Sequence, residues 1–228
     1  YGESGGQIGD RGALELLKGS AEVVTVTWAD ALLVHHVKIT AGACRVGEPV
    51  KAAVDVAHRL KVARSHTATH LLHWALRRVV GPEAVQAGSL VEAERLRFDF
   101  SALGGLQEEQ QLQVERLVNE RVRLSDPVQT QVMKLAEARQ RGAVALFGEK
   151  YGQEVRVVSI GDYSQELCGG THLLHTGFVG TFKIVSEGSV AAGTRRIEAM
   201  VGEAAFLRQQ QESQWLRQAA AHLSRPPH

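Results

Sequence analysis

Two pairs of metal-ligand residues, far apart in the sequence, place the strongest constraint on how this chain can fold. His66 and His70 stand four positions apart in HTATH, and Cys168 and His172 stand four positions apart in CGGTH. On a helix, residues at that spacing project from the same face, so both imidazoles can reach one ion. The two glycines of the second pair permit a tight loop that turns the thiolate and the imidazole toward one centre. A common site requires a fold that brings the two pairs together.

The ligand types predict which metal such a site would hold. Three nitrogens and one sulfur suit tetrahedral zinc, whereas calcium and magnesium prefer oxygen ligands. Taken alone, the histidine pair has a simpler interpretation as two helical histidines, one buried and one exposed. Thr67 occupies the position of a zinc protease's glutamate base, which argues against a zinc peptidase.

The composition is that of an ordinary globular protein. The chain has 228 residues, 44% hydrophobic and 22% charged, which allows one large domain or two small ones. Its net charge of +1 neither supports nor excludes a nucleic-acid partner. Two cysteines make no disulfide framework, so we expect a reducing, cytoplasmic location. We find no apolar run of about 18 residues and no signal peptide, and the absent initiator Met indicates part of a longer protein.

The first part of the chain predicts a small β-barrel-like unit over residues 1–56. Residues 1–10 are rich in turn-forming residues and exclude a regular element. β-Branched runs predict strands over 23–27, 33–39 and 50–56. Cys44 has no ligand partner nearby and is predicted to be a small buried residue.

The rest of the chain predicts an α+β fold, with an α/β sandwich over 57–202 and a C-terminal helix within 203–228. Ser65 is a suitable N-cap for a helix over 66–80. Hydrophobic periodicity gives the remaining elements. They are helices over 106–125, 135–141 and 203–223, and strands over 96–100, 155–160, 178–185 and 195–201.

Several segments together resemble the editing domains of alanyl-tRNA synthetases and their free-standing relatives. The two ligand motifs carry the resemblance, and other segments extend it over about residues 3–207. The paired motifs are also similar to those of threonyl-tRNA editing domains. The matching segments are residues 3–10 (ESGGQIGD), 66–73 (HTATHLLH), 86–91 (QAGSLV) with 96–100 (LRFDF), 145–152 (ALFGEKYG), 168–172 (CGGTH) and 193–199 (GTRRIEA).

The resemblance implies a zinc-dependent hydrolase that removes wrongly attached serine or glycine from the acceptor end of tRNA(Ala). The full-length enzyme would attach alanine to that tRNA and could oligomerise through its C-terminal region. No segment resembles the ATP-binding aminoacylation domain, so we expect no tRNA charging from this part. Two alternatives stay open: a free-standing trans-editing deacylase, and a non-catalytic tRNA-binding module with structural zinc.

The resemblance also implies roles for residues around the zinc, with no separate general base. Four protein ligands would close a tetrahedral site, so one of them, with His172 as the candidate, is expected to be loose or replaced by water. The Thr67 hydroxyl could bind a serine side chain and reject alanine, and Thr69 is its competitor. Gln86 matches a position associated with editing. Further substrate contacts are assigned to Gly169, Gly170 and Thr171, and weaker tRNA contacts to Lys150, Arg195 and Arg196, for which ordinary surface cations are the alternative.

Overall fold

A computed structural model of the chain describes residues 1–145 and 151–223. In these residues the fold combines three antiparallel sheets with four α-helices. The predicted α+β class is therefore confirmed.

The N-terminal sheet consists of β1 (Gly12–Leu16), β2 (Lys18–Ala29), β3 (Leu32–Ala43) and β4 (Val50–Val54), in the order β3-β2-β1-β4. The three predicted strands fall within β2, β3 and β4, apart from the last two residues of the third. The prediction misses β1 because its sequence contains no β-branched residue. In the described residues β3 and β4 are open edges, so this barrel-like unit is an open sheet.

Cys44 directly follows β3 and is exposed, so the prediction that it is buried is wrong. Every residue of β3 except Val34 is also exposed. In the described part of the chain, therefore, no neighbouring element shields this edge of the sheet.

The central sheet carries the main hydrophobic core. It consists of β5 (Gln86–Glu92), β6 (Arg95–Ser101), β10 (Phe182–Ala191) and β11 (Thr194–Val201), in the order β10-β11-β6-β5. Alternate residues of these strands point into the core, where Phe98, Phe100, Phe182 and Ile197 are fully buried. Two helices pack over this layer and complete the core.

These helices are α1 (Val56–Val79) and α2 (Glu108–Leu124). Residues 65–76 of α1 are all buried, so α1 is the central helix of the fold. The prediction that Ser65 caps this helix is wrong. Asp55 is the N-cap, and its side chain accepts from the His58 N–H at 2.9 Å. Asp is at least as good a cap as Ser, and no helix breaker separates the two residues.

A third sheet contacts α1 through its last strand and leads into the second ligand motif. It consists of β7 (Val128–Lys134), β8 (Glu154–Ile160) and β9 (Ser164–Leu167), in the order β7-β8-β9. The short helix α3 (Leu135–Gln140) packs on it. Because β9 ends at Leu167, the next residue, Cys168, begins the loop that carries two of the predicted ligands.

One strand in the last part of the chain differs from the prediction at both ends. Residues 176–179 form a short 3₁₀ helix, and β10 runs from Phe182 to Ala191, so both bounds of the predicted strand over 178–185 are wrong. Gly180, with φ of +70°, separates the two elements in a conformation that favours glycine. The C-terminal helix α4 (Gly202–His222) confirms the predicted tail helix to within one residue. In the described residues, no helix combines the length and the apolar character needed to cross a membrane.

Candidate metal centre

The fold brings the two distant ligand pairs together. His66 and His70 lie one turn apart on α1, with their rings stacked at 5.3 Å between centroids. The Sγ atom of Cys168 lies 3.3 Å from Nε2 of His66 and 3.3 Å from Nε2 of His172. One ligand atom from each of the four residues falls within 4.8 Å of all the others. This group could hold a metal ion, as the sequence spacing predicts.

Each imidazole of the group contacts another polar residue through its Nδ1 atom. For His66 that contact is Oε1 of Gln7 at 2.6 Å, and for His172 it is Oγ1 of Thr67 at 3.3 Å. For His70 it is the carboxylate of Glu166 at 3.0 Å. The Nε2 atoms are therefore left to face the common centre, which is the arrangement that orients histidine ligands of metals.

Glu166 is a buried carboxylate between two histidines. Its second oxygen lies 3.1 Å from Nδ1 of His73, so His73 contacts the ligand shell indirectly. Burial alone would raise the pKa of Glu166, but His70 and His73 hold that pKa well below its usual range. For His70, burial opposes the charged form, but the charges and hydrogen bonds of Glu166 and Cys168 together outweigh it and raise the pKa to about 10.

Cys168 has the character of a thiolate. Burial would raise the pKa of its thiol, but His66 and hydrogen bonds from the surrounding imidazoles hold that pKa well below its usual range. The backbone N–H of Gly170 also approaches Sγ, at 3.4 Å. Burial and the neighbouring His66 lower the pKa of His172 to about 3, so its ring is neutral. A thiolate and a neutral imidazole are the forms in which these residues bind metals.

A buried nitrogen atom of His70 also favours a metal at this site. Nε2 of His70 is buried and has no hydrogen-bond partner among the described residues. A buried polar atom without a partner is costly, and a coordination bond would satisfy it. The donor set of three nitrogens and one sulfur is typical of tetrahedral zinc sites.

A cavity of about 280 Å³ opens beside the ligands. Three residues predicted to contact substrate, Gln86, Gly169 and Gly170, lie in its wall. The residues of the wall come from the N-terminal segment, α1, β5, the segment before β8, β8, the end of β9 and the ligand loop. They are Tyr1, Ser4, Gly5, His66, Thr69, His70, Gln86, Ser89, Tyr151, Gly152, Glu154, Val155, Arg156, Leu167, Cys168, Gly169 and Gly170.

Of the two candidate threonines of α1, Thr69 lines the cavity and Thr67 does not. Thr67 is fully buried outside the cavity wall, and its hydroxyl accepts the N–H of Leu173 at 3.1 Å. Thr69 lies in the cavity wall, and its hydroxyl donates to the Ser65 carbonyl at 2.9 Å. Thr171 is also outside the wall, where it contacts Gln7. The predicted substrate roles of Thr67 and Thr171 stay predictions.

Comparison with known proteins gives partial matches to two family models. Residues 155–198 match the threonyl and alanyl tRNA synthetase second additional domain, and residues 1–58 match tRNA synthetases class II (A). The alanine–tRNA ligase of Idiomarina loihiensis is 48% identical over 227 residues, covering 100% of this chain and 26% of that protein. The alanine–tRNA ligase of Nitrosococcus oceani is 51% identical over 206 residues, covering 90% of this chain and 24% of that protein.

The chain belongs to the alanine–tRNA ligase family. It spans about a quarter of the length of the curated relatives that it matches. The match to the second additional domain includes the loop with Cys168 and His172.

The predicted tRNA contacts of this family member receive less support from the geometry. Arg195 donates two hydrogen bonds of 2.6 Å to Glu187, and Arg196 donates two of 2.7 Å to Asp99. Each guanidinium is therefore already paired within the sheet. Lys150 lies outside the described residues. All three roles stay predictions.

Sequence reasoning did not single out three residues of the centre: Gln7, Glu166 and Arg156. Arg156 donates to the carbonyls of Cys168 and Gly170, at 2.9 and 2.7 Å, and so ties the ligand loop to β8. For Glu166 a signal exists, because a carboxylate stands two residues before the candidate ligand Cys168. For Gln7 the signal is weaker, since its segment is rich in turn-forming residues and has no regular spacing that predicts where a side chain points.

Proposed function

We propose that this chain is the editing part of an alanyl-tRNA synthetase, which hydrolyses the seryl and glycyl esters of tRNA(Ala) at a zinc centre. The observation that carries the proposal is the convergence of His66, His70, Cys168 and His172, three of which line a cavity. The family membership supports it, because the ligases of Idiomarina loihiensis and Nitrosococcus oceani align with 100% and 90% of this chain.

Such a site answers a physical problem of amino-acid selection. Alanine differs from serine by one hydroxyl group and from glycine by one methyl group. A single apolar pocket separates neighbours of that kind by only about 10- to 200-fold. A second site that hydrolyses the wrong ester supplies the missing discrimination.

The residues of the cavity have distinct tasks in this proposal. Bound zinc would supply a Lewis acid and lower the pKa of a water molecule. Thr69, Gln86 and Ser89 offer polar atoms in the cavity wall that can hold the aminoacyl group and the terminal ribose. Gly169 and Gly170 leave room for the substrate beside Cys168, because they add no side chain to the wall.

His172 is the candidate for the ligand that leaves the metal. The acceptors next to His66 and His70 are an amide oxygen and a carboxylate, which fix the imidazole proton on Nδ1. His172 instead faces the Thr67 hydroxyl, which can donate or accept. Its orientation is the least strictly fixed of the three. The optical spectrum of the cobalt-substituted chain tests this, because a four-coordinate site without an exchangeable ligand contradicts it.

The partner in this proposal is the acceptor end of tRNA(Ala), with Arg195, Arg196 and Lys150 as weak contacts. The three-part division at residues 56/57 and 202/203, the cytoplasmic location and oligomerisation through a further C-terminal region belong to the same proposal. The non-catalytic binding module stays the alternative. It predicts tRNA binding without ester hydrolysis.

Cys168→Ala provides the direct test of the site. We expect it to abolish hydrolysis of seryl-tRNA(Ala), since the thiolate is the one sulfur ligand of the group. Cys44→Ala is the matched control, because Cys44 is exposed and has no place in the centre. Equal hydrolysis by the Cys168→Ala variant and the wild type would refute a metal centre at this position.

A further inference from the structure

Gln7 connects the N-terminal segment to the metal centre through one buried atom. The residue is 1% exposed. Its Oε1 atom lies 2.6 Å from Nδ1 of His66, 2.9 Å from the backbone nitrogen of Thr171 and 3.2 Å from Oγ1 of the same threonine. One side chain therefore contacts the first ligand pair through His66 and the loop of the second pair through Thr171.

These contacts determine which nitrogen of His66 is free to bind. A backbone N–H can only donate, so the Gln7 atom that faces Thr171 is the amide oxygen. The same oxygen faces Nδ1 of His66, so Nδ1 carries the proton. The lone pair is then on Nε2, which lies 3.3 Å from Sγ of Cys168.

The backbone holds Gln7 in place from both sides. The N–H of Val91 on β5 donates to the carbonyl of Gly6 at 2.7 Å, and the N–H of Ile8 donates to the carbonyl of Val91 at 3.2 Å. Gly6 has φ of +82°, and a Cβ atom there would collide with Ser89. The segment is thus fixed against the central sheet.

We propose that Gln7 is a positioning residue of the metal centre, which sets the tautomer of His66 and anchors the 168–172 loop. The affinity for zinc then depends on a segment outside the predicted 57–202 domain. A lost contact of this kind weakens metal affinity by about 10- to 100-fold. This inference rests on the metal centre of the proposed function and is independent of the hydrolytic step.

Three variants of the 228-residue chain test it by competition for zinc with a chromophoric chelator. Gln7→Met keeps the shape and removes the acceptor, and we expect zinc affinity to fall about 10- to 100-fold. Gln7→Glu keeps an acceptor oxygen and should bind zinc at least nearly as tightly as the wild type. Gln129→Met, an exposed position on β7, controls for the substitution itself. Wild-type affinity in Gln7→Met, or equal losses in the Met and Glu variants, would overturn the inference.

A second measurement needs no variant. In the zinc-loaded wild type, long-range ¹H–¹⁵N spectra should show a proton on Nδ1 of His66 and none on Nε2. A proton on Nε2 would overturn the inference. A chain in which Gln7→Met weakens zinc binding but the zinc-loaded wild type binds seryl-tRNA without hydrolysing it would support the inference while refuting the proposed function.

Discussion

Oε2 of Glu166 lies 3.0 Å from Nδ1 of His70, and both side chains are buried. The second oxygen of the same carboxylate contacts His73, so the carboxylate is held from two sides. Since neither partner is exposed, the pair fixes one imidazole of the ligand group without any help from solvent. This relationship joins a strand of the third sheet to the central helix at the metal centre.

Removing this carboxylate is expected to weaken metal binding. Glu166→Leu leaves Nδ1 of His70 without an acceptor, and the zinc affinity should fall by about 10- to 100-fold. Glu166→Gln keeps a neutral acceptor and should fall less. Chelator competition measures both, with the exposed Glu120→Gln as the control. Unchanged affinity in Glu166→Leu would show that the contact has no part in holding the ligand.

The two glycines of the ligand loop should respond differently to alanine. A Cβ atom at Gly170 would collide with the His66 ring and approach Oε1 of Gln7, whereas a Cβ at Gly169 would meet nothing within 4 Å. We therefore expect Gly170→Ala to reduce zinc affinity at least about tenfold and Gly169→Ala to retain it. Equal affinities would mean that the loop can shift to accept the methyl group.

The sequence predicts the convergence of the four candidate ligands better than it predicts their surroundings. The pair of His66 and His70 is recognisable because residues four apart share one face of a helix. The pair of Cys168 and His172 is recognisable because the two glycines between them permit a tight loop. Gln7 could not be found, since its contact depends on how an irregular segment crosses the central sheet. The start of α1 was misplaced for a related reason: both Asp55 and Ser65 can cap a helix, and tertiary packing decides between them.

We expect the two threonines of α1 to have different roles: Thr69 selects the amino acid of the ester, and Thr67 supports zinc binding. Thr69 lies in the cavity wall, so Thr69→Val should lower the ratio of seryl to alanyl ester hydrolysis by about tenfold or more, the effect of one unmade hydrogen bond to substrate. Thr67→Val should keep that ratio and weaken zinc binding, because Thr67 contacts His172. Single-turnover rates with both esters decide. Loss of the ratio in Thr67→Val alone would identify Thr67 as the residue that recognises serine.

Tyr163, which packs against Trp74 of α1, gives the fold a pH dependence of its own. Burial and its 2.8 Å hydrogen bond to Asp126 raise the pKa of the phenol well above its ordinary value of 10.0. The folded state favours the protonated phenol, so this stabilisation is complete below pH 10 and is lost as the pH rises above it. Relative to Tyr163→Phe, the wild-type free energy of unfolding should fall by less than about 1.4 kcal/mol per pH unit, because solvent screens the half-buried group. Denaturant unfolding between pH 8 and 11 measures the difference, and parallel curves would contradict it.

The most direct test of the central claim is single-turnover hydrolysis of seryl-tRNA(Ala) by the chain at low salt, with alanyl-tRNA(Ala) as the control. One sample is stripped of metal, and a part of it then receives zinc. We predict rapid hydrolysis of the seryl ester alone, lost on stripping and restored by zinc. Intact seryl ester in the presence of zinc, with the tRNA demonstrably bound, would contradict the account and favour a binding module.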